Sequence, residues 1–333
     1  MAKIWYDKDA DLKLIKSKKV AVLGYGSQGH AQAQNLRQSG VKVVVSELPG
    51  TDNYKKAVKD GFKPMPAAKA AEWANVIQIL LPDEIQAKVY EKDVAPNLTP
   101  GKALLFSHGF NIRFKLIKPP KGVDVILIAP KAPGHTVRRL FVDGKGVPML
   151  LAVEQNASKK AWELGLSYAK AVGGTRAGVI RTTFTEETET DLFGEQAVLC
   201  GGLCALIQAG FETLIKAGYQ PEAAYFECCH EIKLITDMIN EGGLAWMRYS
   251  ISDTAEYGDY TRGQKVVGKS SRDAMQKILK DIQSGAFAKE WVAEARSGKK
   301  KFLKMRKAEA NSRIEKVGAN LRKMMSWLKD AKK

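Results

Sequence analysis

At 333 residues, with 45% hydrophobic and 27% charged residues, the chain is long enough for two domains with separate cores and has a globular composition. A formal net charge of +17 raises the question of a nucleic-acid surface, but residues 296–333 alone hold 14 Lys and Arg against 3 Asp and Glu. There Phe302, Met305, Ile314, Val317, Leu321, Met324 and Leu328 recur at helical spacing, which favours the wet face of one or two amphipathic helices over a nucleic-acid site.

No hydrophobic run reads as long enough to cross a bilayer, and residues 1–19 lack both an apolar h-region and a cleavage site, so a cytoplasmic protein is expected. Cys200, Cys204, Cys228 and Cys229 sit in apolar, helix-like segments without zinc-cage spacing, which predicts buried free thiols.

In chain order, β-branched runs at Lys19–Leu23, Val41–Val45, Val76–Leu80, Ala103–Phe106, Val123–Ile128 and Met149–Val153 predict strands. Helices are predicted between them, as at His30–Ser39 and Asn53–Asp60, which is the alternation of a doubly wound parallel sheet. After about Arg181 only 3.6-residue periodicity remains. The expectation is a Rossmann-like dinucleotide-binding domain over residues 1–182 and an all-helical domain over residues 183–328.

The first predicted strand runs into Gly24-Tyr25-Gly26-Ser27-Gln28-Gly29 and then a helix. In that context the first glycine permits a tight turn and the second lets a pyrophosphate approach the backbone. The third lets helix and strand pack closely, with the phosphate at the helix N-terminus. The second strand ends in Ser46-Glu47, where an acid accepts hydrogen bonds from ribose hydroxyls and repels a 2′-phosphate, so NADH is the preferred cofactor. Were Glu47 only a solvated loop acid, Lys55, Lys56 or Lys59 would be placed to serve that phosphate, leaving NADPH in use.

Two stretches of the helical half carry acids one turn apart, Asp191 with Glu195 and Glu227 with Glu231, among small and apolar neighbours. Like charges in such surroundings repel unless a cation or hydrogen bonds compensate them, and hard carboxylate oxygens on two facing helices suit Mg²⁺. His230-Glu231 lacks the second histidine of a zinc-protease helix.

Taken together, the motifs resemble the short form of the ketol-acid reductoisomerase family over nearly the whole chain. Those that carry the likeness are the glycine turn, Leu81-Pro82-Asp83-Glu84-Ile85-Gln86, Ser107-His108-Gly109-Phe110, residues 129–138, residues 190–196, residues 226–231 and residues 250–258. The resemblance implies an all-α C-terminal dimerisation domain, a homodimer or larger assembly of dimers, and no nucleic-acid or membrane partner. It implies two Mg²⁺ per site, with Asp191 bridging both, Glu195 on one, and Glu227 and Glu231 of the partner subunit around the second.

By the same resemblance, His108, Lys131 and Glu231 are catalytic and Ser252 holds the substrate carboxylate. Leu81, Pro82, Asp83, Gln86, His108 and Gly134 join the glycine turn, Ser46 and Glu47 around the cofactor. The implied reaction is alkyl migration in 2-acetolactate or 2-aceto-2-hydroxybutyrate, then reduction to a 2,3-dihydroxy acid on the route to branched-chain amino acids. Two departures stand out. Where the family's phosphate loop has an Arg and two Ser, this chain has Leu48, Thr51 and Asn53, which again points to NADH while leaving two donors for a phosphate. Ala132 stands where the family often has Gly.

Overall fold

A computed structural model describes residues 2–325, and the chain forms two compact units that meet between Thr190 and Asp191. The first unit holds eight strands: β1 (Ile4–Trp5), β2 (Lys19–Leu23), β3 (Lys42–Ser46), β4 (Val76–Ile79), β5 (Ala103–Phe106), β6 (Asp124–Pro130), β7 (Met149–Gln155) and β8 (Val179–Arg181). They form one sheet in the order β1-β8-β7-β6-β5-β4-β2-β3.

The five strands from β3 to β6 run parallel, with β3 on one side of β2 and β4 on the other. That reversal opens a crevice at the C-terminal ends of β2 and β4, where such sheets bind ligands. Side-chain alternation makes two cores. Val20, Val22, Leu105, Ile126 and Ile128 face Leu36, Leu164 and Tyr168, while Ala21, Leu23, Ile77, Ile79, Leu104 and Phe106 fill the opposite side.

The sheet is not parallel throughout. β7 lies antiparallel to β6, with Met149 opposite Pro130, and β1 lies antiparallel to β8. The helix Gly134–Val142 is followed by a turn that returns the chain to the end of the sheet it has just left, so no crossover is made. β-Branched runs look alike in either direction, and strands of two or three residues carry no pattern.

In the second unit the described residues are helical, with long helices at Gly201–Lys216, Ile232–Tyr249, Asp253–Val266, Lys269–Gln283, Ala286–Arg296, Lys300–Ala310 and Arg313–Met324. Its buried cluster is small, built on Phe211, Ala224, Tyr225, Ile314 and Leu321. The basic C-terminal segment is the expected amphipathic pair, with Ile314 and Leu321 inward while Met305 and Met324 stay exposed; Leu328 lies outside the described residues.

Two sequence expectations need correction here. Cys200 and Cys204 are exposed, and Cys228 and Cys229 are half-buried, all four as free thiols. The helical run Phe184–Lys216 is also long and apolar enough, by length and composition, to cross a membrane, and little of it is buried within the chain. Both have one physical cause: the chain does not cover this apolar face itself. Leu199, Leu206, Leu234, Trp246 and Tyr249, the last 80% exposed, are further large apolar side chains that the unit leaves uncovered.

Candidate active site

The glycine turn is built from close contacts. Gly24 has φ +97° and donates its amide to Ser46 O at 2.9 Å; a Cβ there would sit 2.7 Å from Leu80 O. A Cβ on Gly29 would lie 2.0 Å from Gly24 O, so the helix Ser27–Gln38 sits hard against the turn. At Gly26 a Cβ would meet nothing within 4 Å. Gly26 therefore faces open space at the helix N-terminus, which is where a pyrophosphate fits.

That space belongs to a cleft of about 760 Å³ lined by Gly24, Gly26, Ser27, Gln28, Ser46, Glu47, Leu48, Asn53, Leu81 and Pro82. Glu47 is held over the turn, with Oε2 accepting from Tyr25 N at 2.8 Å and Oε1 from Leu48 N at 2.9 Å. Thr51 is committed elsewhere, since its hydroxyl accepts from Tyr54 N at 3.1 Å and donates to Leu48 O at 2.8 Å, capping the helix Asp52–Lys59. Asp52, on the first turn of that helix, is an exposed acid that pairs with Lys55 at 3.4 Å.

The remaining expected cofactor residues act on the rim from behind. The Tyr25 side chain is buried and donates to Asp60 Oδ2 at 2.8 Å, so only its backbone faces the turn. Gln86, also buried, donates to Leu81 O at 2.8 Å and to Asp83 Oδ1 at 3.1 Å, which fixes the Leu81-Pro82 corner. Gly134 N donates to Ser27 Oγ at 3.0 Å, an approach a side chain would block.

At the ends of β5 and β6 the structure reveals an acid that the sequence reading passed over. Glu187 is 1% exposed; its Oε1 accepts from Lys131 Nζ at 2.9 Å, and its Oε2 accepts from Gly109 N at 3.2 Å and lies 3.4 Å from His108 Nδ1. Burial works to raise its carboxyl pKa, but the hydrogen bond and charge of His108 and the charge of Lys131 outweigh it, holding the group below its ordinary range. The signal was present in the sequence, since Glu187, Asp191 and Glu195 follow one another at four-residue spacing. Glu189, by contrast, faces Arg113 at 2.6 Å and serves as a structural ion pair.

Asp191 rides the same helix (Phe184–Gly194) one turn beyond Glu187. Glu195 opens a π-helical turn, where Cys200 N donates to Glu195 O at 3.1 Å, and Glu227 lies in another, closed by Glu231 N on Phe226 O at 3.1 Å. Such wide turns recur at functional sites because they re-aim side chains. Glu195, Glu227 and Glu231 are exposed and join no three-member ligand group among the described residues, whereas Asp191 offers a carboxylate oxygen within 4.8 Å of ligand atoms of Glu187 and His108. Ser252 caps the helix Asp253–Val266, its Oγ accepting from Ala255 N at 3.2 Å.

A sheet with a glycine turn at its reversal point, an acid pinned over that turn and a buried Glu187 holding Lys131 and His108 at neighbouring strand ends define a nicotinamide-nucleotide oxidoreductase with an added helical domain. Residues 14–178 match the family model for the acetohydroxy acid isomeroreductase NADPH-binding domain, and residues 184–327 match that for the ketol-acid reductoisomerase C-terminal domain. The chain therefore belongs to the ketol-acid reductoisomerase family, whose oxidoreductase and isomerase chemistry serves branched-chain amino acid biosynthesis.

Among solved structures it is similar to an NADH-preferring ketol-acid reductoisomerase from an uncultured archaeon, with 47% identity, 97% of this chain and 99% of that one covered, and a TM-score of 0.95. More distant likenesses show the fold alone. One is a semialdehyde dehydrogenase NAD-binding protein from Cupriavidus necator, with 21% identity, 78% and 99% coverage and a TM-score of 0.56. Another is a pyrroline-5-carboxylate reductase from Coxiella burnetii, with 15% identity, 81% and 98% coverage and a TM-score of 0.53.

Proposed function

We propose that the chain is a Mg²⁺-dependent ketol-acid reductoisomerase that prefers NADH and works as a cytoplasmic homodimer or an assembly of dimers. Its substrates are 2-acetolactate and 2-aceto-2-hydroxybutyrate, and its product is the 2,3-dihydroxy acid. The observation that carries the metal and the dimer is that Glu227 and Glu231 have no basic partner among the described residues, although they are like charges one turn apart. A hard divalent cation and the acids of a second copy supply what they lack, with Asp191 and Glu195 from one protomer and Glu227 and Glu231 from the other. The uncovered apolar face of the helical unit is what that second copy buries.

When bound, the ions polarise the substrate ketone and acidify its hydroxyl, and the nicotinamide provides the reducing equivalent. Glu231 takes the hydroxyl proton as the alkyl group moves to the neighbouring carbon. Ser252 holds the substrate carboxylate. Lys131, kept charged and in place by Glu187, donates a hydrogen bond at the reacting oxygens, and His108 lies beside it at the strand ends.

NADH preference follows from Glu47. Two backbone amides hold its carboxylate in place, so a 2′-phosphate would meet a fixed like charge. The 47% identical archaeal enzyme is NADH-preferring in name, which supports the same assignment. The test is turnover of each acetohydroxy acid with NADH or NADPH, with Mg²⁺ or with a chelator. Full turnover in the chelator would remove the metal from this reading, and a clear NADPH preference would remove Glu47.

A further inference from the structure

Three polar side chains lie where the core of the first unit calls for apolar ones. Gln32, Gln78 and Tyr168 are all 0% exposed. They form one chain of hydrogen bonds. Tyr168 OH donates to Gln32 Oε1 at 2.8 Å, and Gln32 Nε2 donates to Ser107 Oγ at 3.0 Å and to Gln28 Oε1 at 3.1 Å. Gln28 Nε2 then donates to Ala132 O at 2.9 Å, and Gln78 Nε2 reaches Ser107 Oγ at 3.1 Å. Five separate elements are joined: the helix Ser27–Gln38, β4, the loops after β5 and β6, and the helix Ala161–Val172.

The direction of this chain is fixed. Ala132 O can only accept, so Gln28 turns Nε2 toward it and Oε1 toward Gln32; Gln32 must then present Nε2 to Gln28, which leaves its Oε1 to accept from the buried, protonated Tyr168 hydroxyl. The Gln32 oxygen therefore faces Tyr168, and its nitrogen faces Ser107 in the loop after β5 and Gln28, which carries the chain on to Ala132 in the loop after β6. Gln78 is oriented too, because turning its amide over would orphan a buried N–H in place of the buried Oε1 that now stands without a partner, and orphaned donors are the costlier. The two branches end beside the two side chains that clamp Glu187: Ser107 precedes His108, and Ala132 follows Lys131. An apolar side chain at 32 would fill the core without a network to satisfy, so the amide is retained for placement rather than for burial.

We propose that Gln32, with its amide oxygen anchored by Tyr168, is a positioning residue for catalysis, holding the His108 and Lys131 loops in register with each other and with the glycine-turn helix. The test compares wild type with Tyr168→Phe and Gln32→Met in NADH-linked turnover of 2-acetolactate, alongside binding of ADP-ribose, which occupies only the Gly26 and Glu47 side of the cleft. Wild-type turnover is measured first, so a wrong substrate assignment shows itself separately. The expected result is a kcat about tenfold lower for Tyr168→Phe and about a hundredfold lower for Gln32→Met, the scale of a misplacement near 1 Å, with ADP-ribose affinity held within about twofold. Unchanged kcat in both variants overturns the proposal, as does a parallel loss of ADP-ribose binding, which marks general loosening of the domain. If Gln32→Met fails to fold, Tyr168→Phe, which removes one oxygen and keeps the ring packing, decides alone.

Discussion

Lys131 Nζ lies 2.9 Å from Oε1 of Glu187, whose side chain is 1% exposed, so a charge pair at the end of β6 is anchored by an almost fully buried carboxylate. Removing one partner strands the other, and Glu187→Gln should lower turnover about a hundredfold and destabilise the fold by about 1–3 kcal/mol. The pH dependence has a definite sign. The folded pKa is below the ordinary glutamate value of 4.5, so as pH falls through that value the unfolded chain binds the proton first. The pair's stabilisation is therefore complete above that range and disappears as pH falls through the folded value. Melting temperatures of chelator-treated wild type and Glu187→Gln should differ most near neutrality and converge as the pH falls below 4.5; a gap independent of pH would show that the charge of Glu187 contributes nothing.

Gly26 and Gly29 should fail in different ways when replaced by alanine. At Gly29 the added methyl meets Gly24 O at 2.0 Å, and the variant should lose about 1–3 kcal/mol or more of stability by overpacking. At Gly26 the methyl meets no protein atom within 4 Å, so the variant should melt with the wild type yet bind NADH weakly, because the methyl takes the space of the pyrophosphate. Paired melting curves and NADH fluorescence titrations separate the two effects. A Gly26→Ala variant with unchanged affinity would move the pyrophosphate away from this turn.

Cofactor choice should respond to two acids, of which the sequence pointed to only one. Glu47 lines the cleft over the turn and Asp52 opens the helix that follows, so both charges belong to the segment that would receive a 2′-phosphate. In partly exposed surroundings each charge counts for about 1 kcal/mol, or about fivefold. Glu47→Gln and Asp52→Asn should each raise the NADPH-to-NADH ratio of kcat/KM by about that factor, and the double variant by their product. An unchanged ratio in the double variant would leave Leu48, Thr51 and Asn53 to explain specificity.

The glycine turn and the strands of the parallel sheet were legible because each rests on local spacing. The antiparallel β7 was not, since strand direction depends on where a turn returns the chain and leaves no mark on Met149–Gln155 itself. Glu187 escaped because its role depends on Lys131 and Gly109, far off in sequence, although its spacing to Asp191 was in view. Gln32 and Tyr168 were invisible for the same reason, as nothing local tells a buried glutamine from an exposed one. The exposed Cys200 and Cys204 misled because apolar neighbours in sequence predict burial, whereas burial depends on what packs over the helix.

If a second copy completes each site, two inactive variants should rescue each other. Asp191→Asn and Glu231→Gln are each expected to abolish turnover alone. In a mixed dimer one site receives both substitutions and the other receives none, so co-expressed chains should recover about half the activity per mixed dimer. Were all four acids of a site supplied by one chain, every site in the mixed dimer would carry a lesion and no activity would return. Separating the three dimers by distinct affinity tags and assaying each with Mg²⁺ and NADH reads the outcome directly. The exposed face around Leu199, Leu206 and Trp246 supplies the structural control, since a charge introduced at Leu206 should split the dimer and abolish turnover together.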